Sequence, residues 1–127
     1  MDNCFILFEL PFDPPEDDVN KINEAILRKL REWSSEMNPV RAAMYREILS
    51  HVDKMKKVML DPILREQEAE NAKRIKFEQQ ILLRKEMRFF HAKTTALSER
   101  DMKRLMEQFG KYGFTVEEIK AEFKRTF

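Results

Sequence analysis

Residues 19–65 read VNKINEAILRKLREWSSEMNPVRAAMYREILSHVDKMKKVMLDPILR, and two apolar stripes within them decide the fold. In the first half, Val19, Ile22, Ile26, Leu30, Trp33 and Met37 recur at spacings of three and four, which places all six on one side of a helix. In the second half, Val40, Met44, Ile48, Val52, Met55 and Met59 repeat that spacing. Only the connector Met37-Asn38-Pro39 separates the two. Asn followed by Pro is a helix-start signal, because the Asn side chain accepts an orphan backbone N–H and Pro fits the first turn without needing its own. The expected arrangement is an antiparallel helical hairpin with its two stripes facing each other.

Composition points the same way. The chain has 127 residues with two Gly and five Pro, and is rich in Leu, Met, Glu, Lys and Arg, which favours an all-α fold large enough to bury a core without disulfides or metals. Charged side chains make up 37% of the residues, yet the net charge is +1, so both signs are interspersed over solvated faces. That balance argues against a strong, non-specific nucleic-acid binder. The single cysteine, Cys4, has no intrachain disulfide partner, which fits a reducing compartment and a reduced, partly buried thiol. The apolar run Cys4 to Leu10 is short, follows Asp2 and contains Glu9, unlike a signal peptide, and nothing approaches membrane-spanning length. A soluble, cytoplasmic protein is expected.

Cys4, Phe5, Leu7, Phe8 and Leu10 form a short apolar segment that needs a surface to lie on, and the hairpin supplies one. Pro11, Asp13, Pro14 and Pro15 follow, with Asp13 and Glu16 spaced like a capping box and Glu16-Asp17-Asp18 placed where a helix N-terminus favours negative charge. Residues 1–18 carry six acidic and no basic side chains against a chain total of +1, so the remainder carries +7. Lys21, Arg28, Lys29 and Arg31 on the first long helix, with Arg41 and Arg46 on the next, are the candidate partner-binding residues. They form a basic face suited to an acidic partner surface, the alternative being an ordinary solvated face.

Leu10-Pro11, the acidic helix start at 13–18, the stripe Val19, Ile22, Ile26 and Leu30, then Leu49, Val52, Met55 and Val58-Met59, and finally Asp61-Pro62 with Arg65, together resemble a J-domain over residues 4–69. In that family a short first helix packs on an antiparallel pair of long helices. The second of the pair ends in Val-Leu-x-Asp-Pro-x-x-Arg; Val58, Asp61, Pro62 and Arg65 match, and Met59 replaces the Leu. J-domains that activate heat-shock ATPase chaperones carry His-Pro-Asp between the long helices. Here the corresponding places hold Arg31-Glu32-Trp33, Ser35-Glu36-Met37 or Asn38-Pro39-Val40, so the resemblance implies a degenerate module that does not stimulate ATP hydrolysis.

Two parts are expected, a J-like helical domain at 1–69 and a helical extension at 70–127. Glu66 to Arg74 hold only Ala69 and Ala72 as apolar groups and read as solvated, after which Ile75, Phe77, Ile81, Leu82, Leu83, Met87, Phe89 and Phe90 follow. A helix from Pro62 to about Ala92 is either continuous, bridging two packed regions, or broken near Asn71. Ser98 with Asp101, and Thr115 with Glu118, mark two further helix starts, with Gly110 and Gly113 bracketing a turn. Leu97, Met102, Leu105, Met106 and Phe109 supply one apolar face, and Phe114, Val116, Ile119, Phe123 and Phe127 another; both are expected to fold back on Ile75 to Phe90 as a C-terminal helical hairpin. The last helix sets Lys120, Lys124 and Arg125 against Glu117, Glu118 and Glu122, too balanced for a DNA-recognition helix.

No catalytic, metal or cofactor constellation stands out. His51 and His91 are isolated, Cys4 lacks metal-ligand companions, and there is no Gly-rich phosphate loop. The expected function is a non-enzymatic protein–protein interaction module, J-domain-like and chaperone-associated, its partner another protein such as a heat-shock ATPase chaperone. The alternative is a structural or scaffolding region of a larger protein or assembly, for which the end at Lys124-Arg125-Thr126-Phe127 inside an expected helix would suit a segment of something longer. A homo-oligomer through the Ile75 to Phe90 stripe is a further reading if that stripe lacks intrachain cover.

Overall fold

A computed structural model describes residues 2–125 and is all-α over them, with no strand among the described residues. Its elements are α1 (Cys4–Leu7), α2 (Val19–Ser34), α3 (Pro39–Leu49), α4 (Val52–Leu60), α5 (Pro62–His91), α6 (Glu99–Phe109), a short 3-10 turn (Gly110–Tyr112) and α7 (Val116–Arg125). They make two compact units, Met1–Asn71 and Ala72–Phe127. The helix from Pro62 has no break at Asn71. Phe127 lies outside the described residues.

In the first unit, α1 is a single turn capped at both ends. Asn3 accepts from the Ile6 N–H at 3.2 Å, and the Cys4 N–H donates to the Glu68 carboxylate on α5 at 2.9 Å. Beyond its C-cap the Glu9 N–H bonds the Ile6 carbonyl and the Leu10 N–H bonds the Phe5 carbonyl, a Schellman ending with Glu9, φ 56°, in the left-handed position usually taken by Gly. The α2 N-cap is Asp18, accepting from Asn20 and Lys21, rather than the Asp13–Glu16 pair. Pro14 and Pro15 each disfavour the helical conformation at the residue before them, which excludes a helix start at Asp13.

The hairpin exists but departs from the expected form. Asn38 caps α3 with Pro39 behind it, as its sequence implies. The second long helix, however, is interrupted at Ser50 and His51, so the stripe is split between α3 and α4. Val52, Met55 and Met59 of α4 are buried as expected, whereas Val40 and Met44 of α3 are 80% and 53% exposed. Instead α3 turns Ala42, Tyr45, Ile48 and Leu49 inward, all half-buried. The Tyr45 ring stacks on Trp33 at 6.0 Å, and Trp33 in turn meets Phe8 at 5.9 Å. An aromatic pair of this kind is worth about 0.5–1.5 kcal/mol beyond area burial, enough to set the rotation of a helix with no fully buried residue. His51 lies exposed in the turn rather than within a helix.

Arg65 donates to the Met59 carbonyl at 3.0 Å while Asp61 accepts from the Ile63 and Leu64 N–H groups. The Asp-Pro-x-x-Arg run thereby caps one helix end and one helix start at a single corner. Ala69 is 1% exposed, so the stretch after Arg65 is not simply solvated: its small side chains are buried while Glu68 ties down α1.

In the second unit, Leu83 and Met87 of α5 pack with Leu105 and Phe109 of α6 and Phe114, Ile119 and Phe123 around α7. Both capping boxes form, Ser98 with Asp101 and Thr115 with Glu118. Gly113, at φ 90°, closes the turn between them in a conformation that a side chain would strain.

Candidate interaction surface

The basic residues proposed for partner binding do not behave as one set. Lys21, Arg28 and Arg31 are exposed on α2, Arg31 opposite the buried Ile22, Ala25, Ile26 and Trp33 and Lys21 and Arg28 along one edge of the helix. Lys29 sits apart. Its side chain is only 13% exposed, and its ammonium lies 3.3 Å from Glu9 and 3.1 Å from Glu32. Burial disfavours its charge, but Glu32 and Glu9 outweigh that and hold its pKa above the usual lysine value. Its charge is therefore neutralised within the fold.

Arg41 and Arg46 are exposed on α3. The Arg41 guanidinium pairs with Glu36 at 3.3 Å, and the same Glu36 oxygen accepts from the Asn38 N–H at 3.0 Å. The Asn38 hydrogen bond foremost, opposed by desolvation and joined by Arg41, holds the Glu36 carboxyl below the usual glutamate range. These contacts also shape the connector between α2 and α3. At its tip Met37 is 91% exposed.

Met37, Val40 and Met44 are thus apolar and exposed at the hairpin tip, and α3 also exposes Arg41 and Arg46. Periodicity finds these residues but assigns them to the core. Nothing in the spacing shows that an aromatic stack turns the helix away from its strongest apolar stripe.

The second unit holds the one buried charged side chain among the described residues, Glu122, at 6% exposure. Gln80 donates to it at 2.8 Å and Arg84 at 3.3 Å, with Arg125 at 3.9 Å. One turn toward the start of α5, Lys76 bonds Glu118 at 2.8 Å and the Gly113 carbonyl at 3.1 Å. Lys76, Gln80 and Arg84 recur every fourth residue, so this side of α5 is a polar ladder clasping α7 and the turn before it. The signal was present as a polar repeat beside the Leu83–Met87 stripe. Every group in it has a structural partner, which gives it the chemistry of a clasp.

Cys4 is fully buried. Burial first, and then the hydrogen bond and charge of Glu68, push its thiol pKa far up, leaving it protonated and unreactive. Among the described residues no cluster of three or more His, Cys, Asp or Glu side chains is arranged to hold a metal ion, and no helix is long and apolar enough to cross a membrane. No protein-family model matches the chain, nor does any curated protein or solved structure.

Proposed function

We propose that this chain is a non-catalytic, J-domain-like protein-interaction module, acting in the cytoplasm, whose first unit docks a partly apolar, acidic protein surface on the outer sides of α2 and α3. The observation that carries the reading is α3 itself. It has no buried residue, it leaves Val40 and Met44 exposed together with Met37 just before it, and it also exposes Arg41 and Arg46. Exposed apolar groups on an element that also carries arginines are the composition of a protein-binding patch, in which the apolar groups supply affinity and the charges supply selection.

The resemblance over residues 4–69 names the partner class, a heat-shock ATPase chaperone, and the absence of His-Pro-Asp from the connector predicts docking without stimulated hydrolysis. The test is a binding titration against such chaperones with ATP and with ADP, repeated with Arg28→Glu and Arg31→Glu together. Saturable binding that is weakened by charge reversal, with single-turnover ATP hydrolysis unchanged, supports the proposal. Absence of binding in both nucleotide states, or a clear rise in hydrolysis, overturns it.

A structural role in a larger or self-associated assembly is the second reading. Phe77, Ile81, Leu82 and Phe89 on the outer side of α5 are 62%, 47%, 45% and 56% exposed, so the last two helices leave part of the apolar surface of α5 uncovered. Sedimentation showing a strict monomer at high concentration removes the self-association branch of this reading.

A further inference from the structure

A pocket of about 340 Å³ opens on the second unit, between the loop before α6 and the outer side of α7. Its apolar lining is Ala96, Leu97, Met102 and Phe123, and its charged lining is Lys120 and Lys124, with no acidic residue among the lining groups. An apolar cavity of about 150 Å³ is already large enough to hold benzene, so this volume admits an extended hydrocarbon group.

The walls are fixed before any ligand arrives. The Phe123 ring stacks on His91 with centroids 3.9 Å apart, and its carbonyl accepts a hydrogen bond from the His91 ring. Thr94 bonds the Ala96 carbonyl at 2.8 Å and accepts from the Ala96 N–H, which pins the loop. Leu97 and Met102 pack against the buried core from outside. Pre-organised walls reduce the ordering cost of binding.

The two lysines point to the other half of the ligand. They are four residues apart on α7, hence neighbours on one side of the helix, and both are exposed. Neither has an ion-pair partner among the described residues, in contrast to Lys76, Arg84 and Arg125 of the same unit. Like charges at this spacing repel, and an anion placed between them relieves the repulsion.

We infer that this pocket binds an aliphatic carboxylate, with the acyl chain against Leu97, Met102 and Phe123 and the carboxylate between the Lys120 and Lys124 ammonium groups. The proposal does not depend on the docking surface of the first unit. A peptide ending in an apolar residue carries the same two chemical features, but Thr95 is the one uncharged polar side chain of the lining, so most of its amide groups would be desolvated against Ala96, Leu97, Met102 and Phe123 without a partner.

The test follows the Leu97 and Met102 methyl resonances of the full chain during titration with decanoate below its micelle concentration. Acetate, decyltrimethylammonium and N-acetyl-leucyl-leucine serve as the other arms. Decanoate is expected to give saturable shifts confined to the second unit, and acetate none. The cationic amphiphile and the dipeptide are each expected to bind about tenfold or more weakly than decanoate, for want of charge attraction in one case and through amide desolvation in the other. Lys120→Glu with Lys124→Glu, both at exposed positions, is expected to weaken decanoate by about tenfold or more, because reversal exchanges two attractions for two repulsions, with helical circular dichroism retained at the titration temperature although Tm falls slightly, Lys124 being in the last turn of α7. Equal binding of the cation, decanoate shifts that survive the double reversal, or comparable shifts at the exposed Met37 and Met44 overturn the site. Tighter binding of the dipeptide overturns its assignment to an acyl chain.

Discussion

Replacing Trp33 with Ala tests the reasoning about what holds the first unit together. Trp33 is 7% exposed and touches Phe8 on one side and Tyr45 on the other, thereby joining the N-terminal turn, α2 and α3. An indole buries about 200 Å², which at about 25 cal/mol per Å² gives an upper bound near 5 kcal/mol. Truncations of buried aromatic residues cost about 3–5 kcal/mol, and the same range is expected here. Tyr45→Ala, at a half-buried position, is expected to cost about 1–2 kcal/mol, and the double-mutant cycle to return a coupling of about 0.5–1.5 kcal/mol. Because the chain forms two units, the assay is hydrogen exchange resolved by residue, alongside urea unfolding followed by circular dichroism. Both variants should raise exchange across α3 and leave amides near Leu105 and Ile119 unchanged. A coupling within about 0.3 kcal/mol of zero, or undisturbed α3 protection in both variants, refutes the claim that the aromatic stack positions α3.

Glu122→Ala strands Gln80 and Arg84 at the α5–α7 contact. Since the Arg84 side chain is 34% exposed, the cost is expected at about 2 kcal/mol, below that of a fully buried pair, and is read as loss of protection in the second unit. The Cys4 thiol should resist a disulfide reagent in native buffer and react promptly in denaturant; fast native reaction would contradict its burial. Burial raises the Glu118 pKa, but hydrogen bonds from Lys76 and Thr115 outweigh it, so the folded carboxyl sits below the ordinary value of 4.5. A lowered folded pKa means that this contribution is fully present above pH 4.5 and lost as pH falls through the folded value. Acid titration of second-unit protection should therefore decline below pH 4.5, less steeply in Glu118→Gln; an identical slope in both contradicts it.

The all-α class and three helix starts were legible because they depend on local chemistry, whereas the start of α2 was expected at Asp13 and lies at Asp18. Asn38-Pro39, Ser98 with Asp101, and Thr115 with Glu118 satisfy orphan N–H groups from within four residues of sequence. The apolar faces of α4, α6 and α7, and the middle of the α2 stripe at Ile22, Ile26 and Trp33, were legible for a similar reason, whereas Val19 and Met37 at the ends of that stripe are exposed. What escaped depends on partners far along the chain. Val40 and Met44 fit the stripe, yet Trp33 selects Tyr45. Glu68 looks like any solvated acid until the Cys4 N–H reaches it across 64 positions. Lys29 counts as a surface charge in composition and as a neutralised ammonium in the fold. Of the six basic residues read as candidate contacts, Lys21, Arg28, Arg31, Arg41 and Arg46 remain exposed, and Arg41 shares its charge with Glu36.

Docking of a partner at the hairpin tip is read most directly from the methionines. Eight methionines are spread over the chain, so methyl resonances can be followed at the tip, in both cores and on the second unit. During titration with a heat-shock ATPase chaperone, the Met37 and Met44 methyls are predicted to broaden, while those of the buried Met55, Met59 and Met87 hold their shifts. No change at Met37 and Met44, or changes confined to Met102 and Met106, would contradict the account.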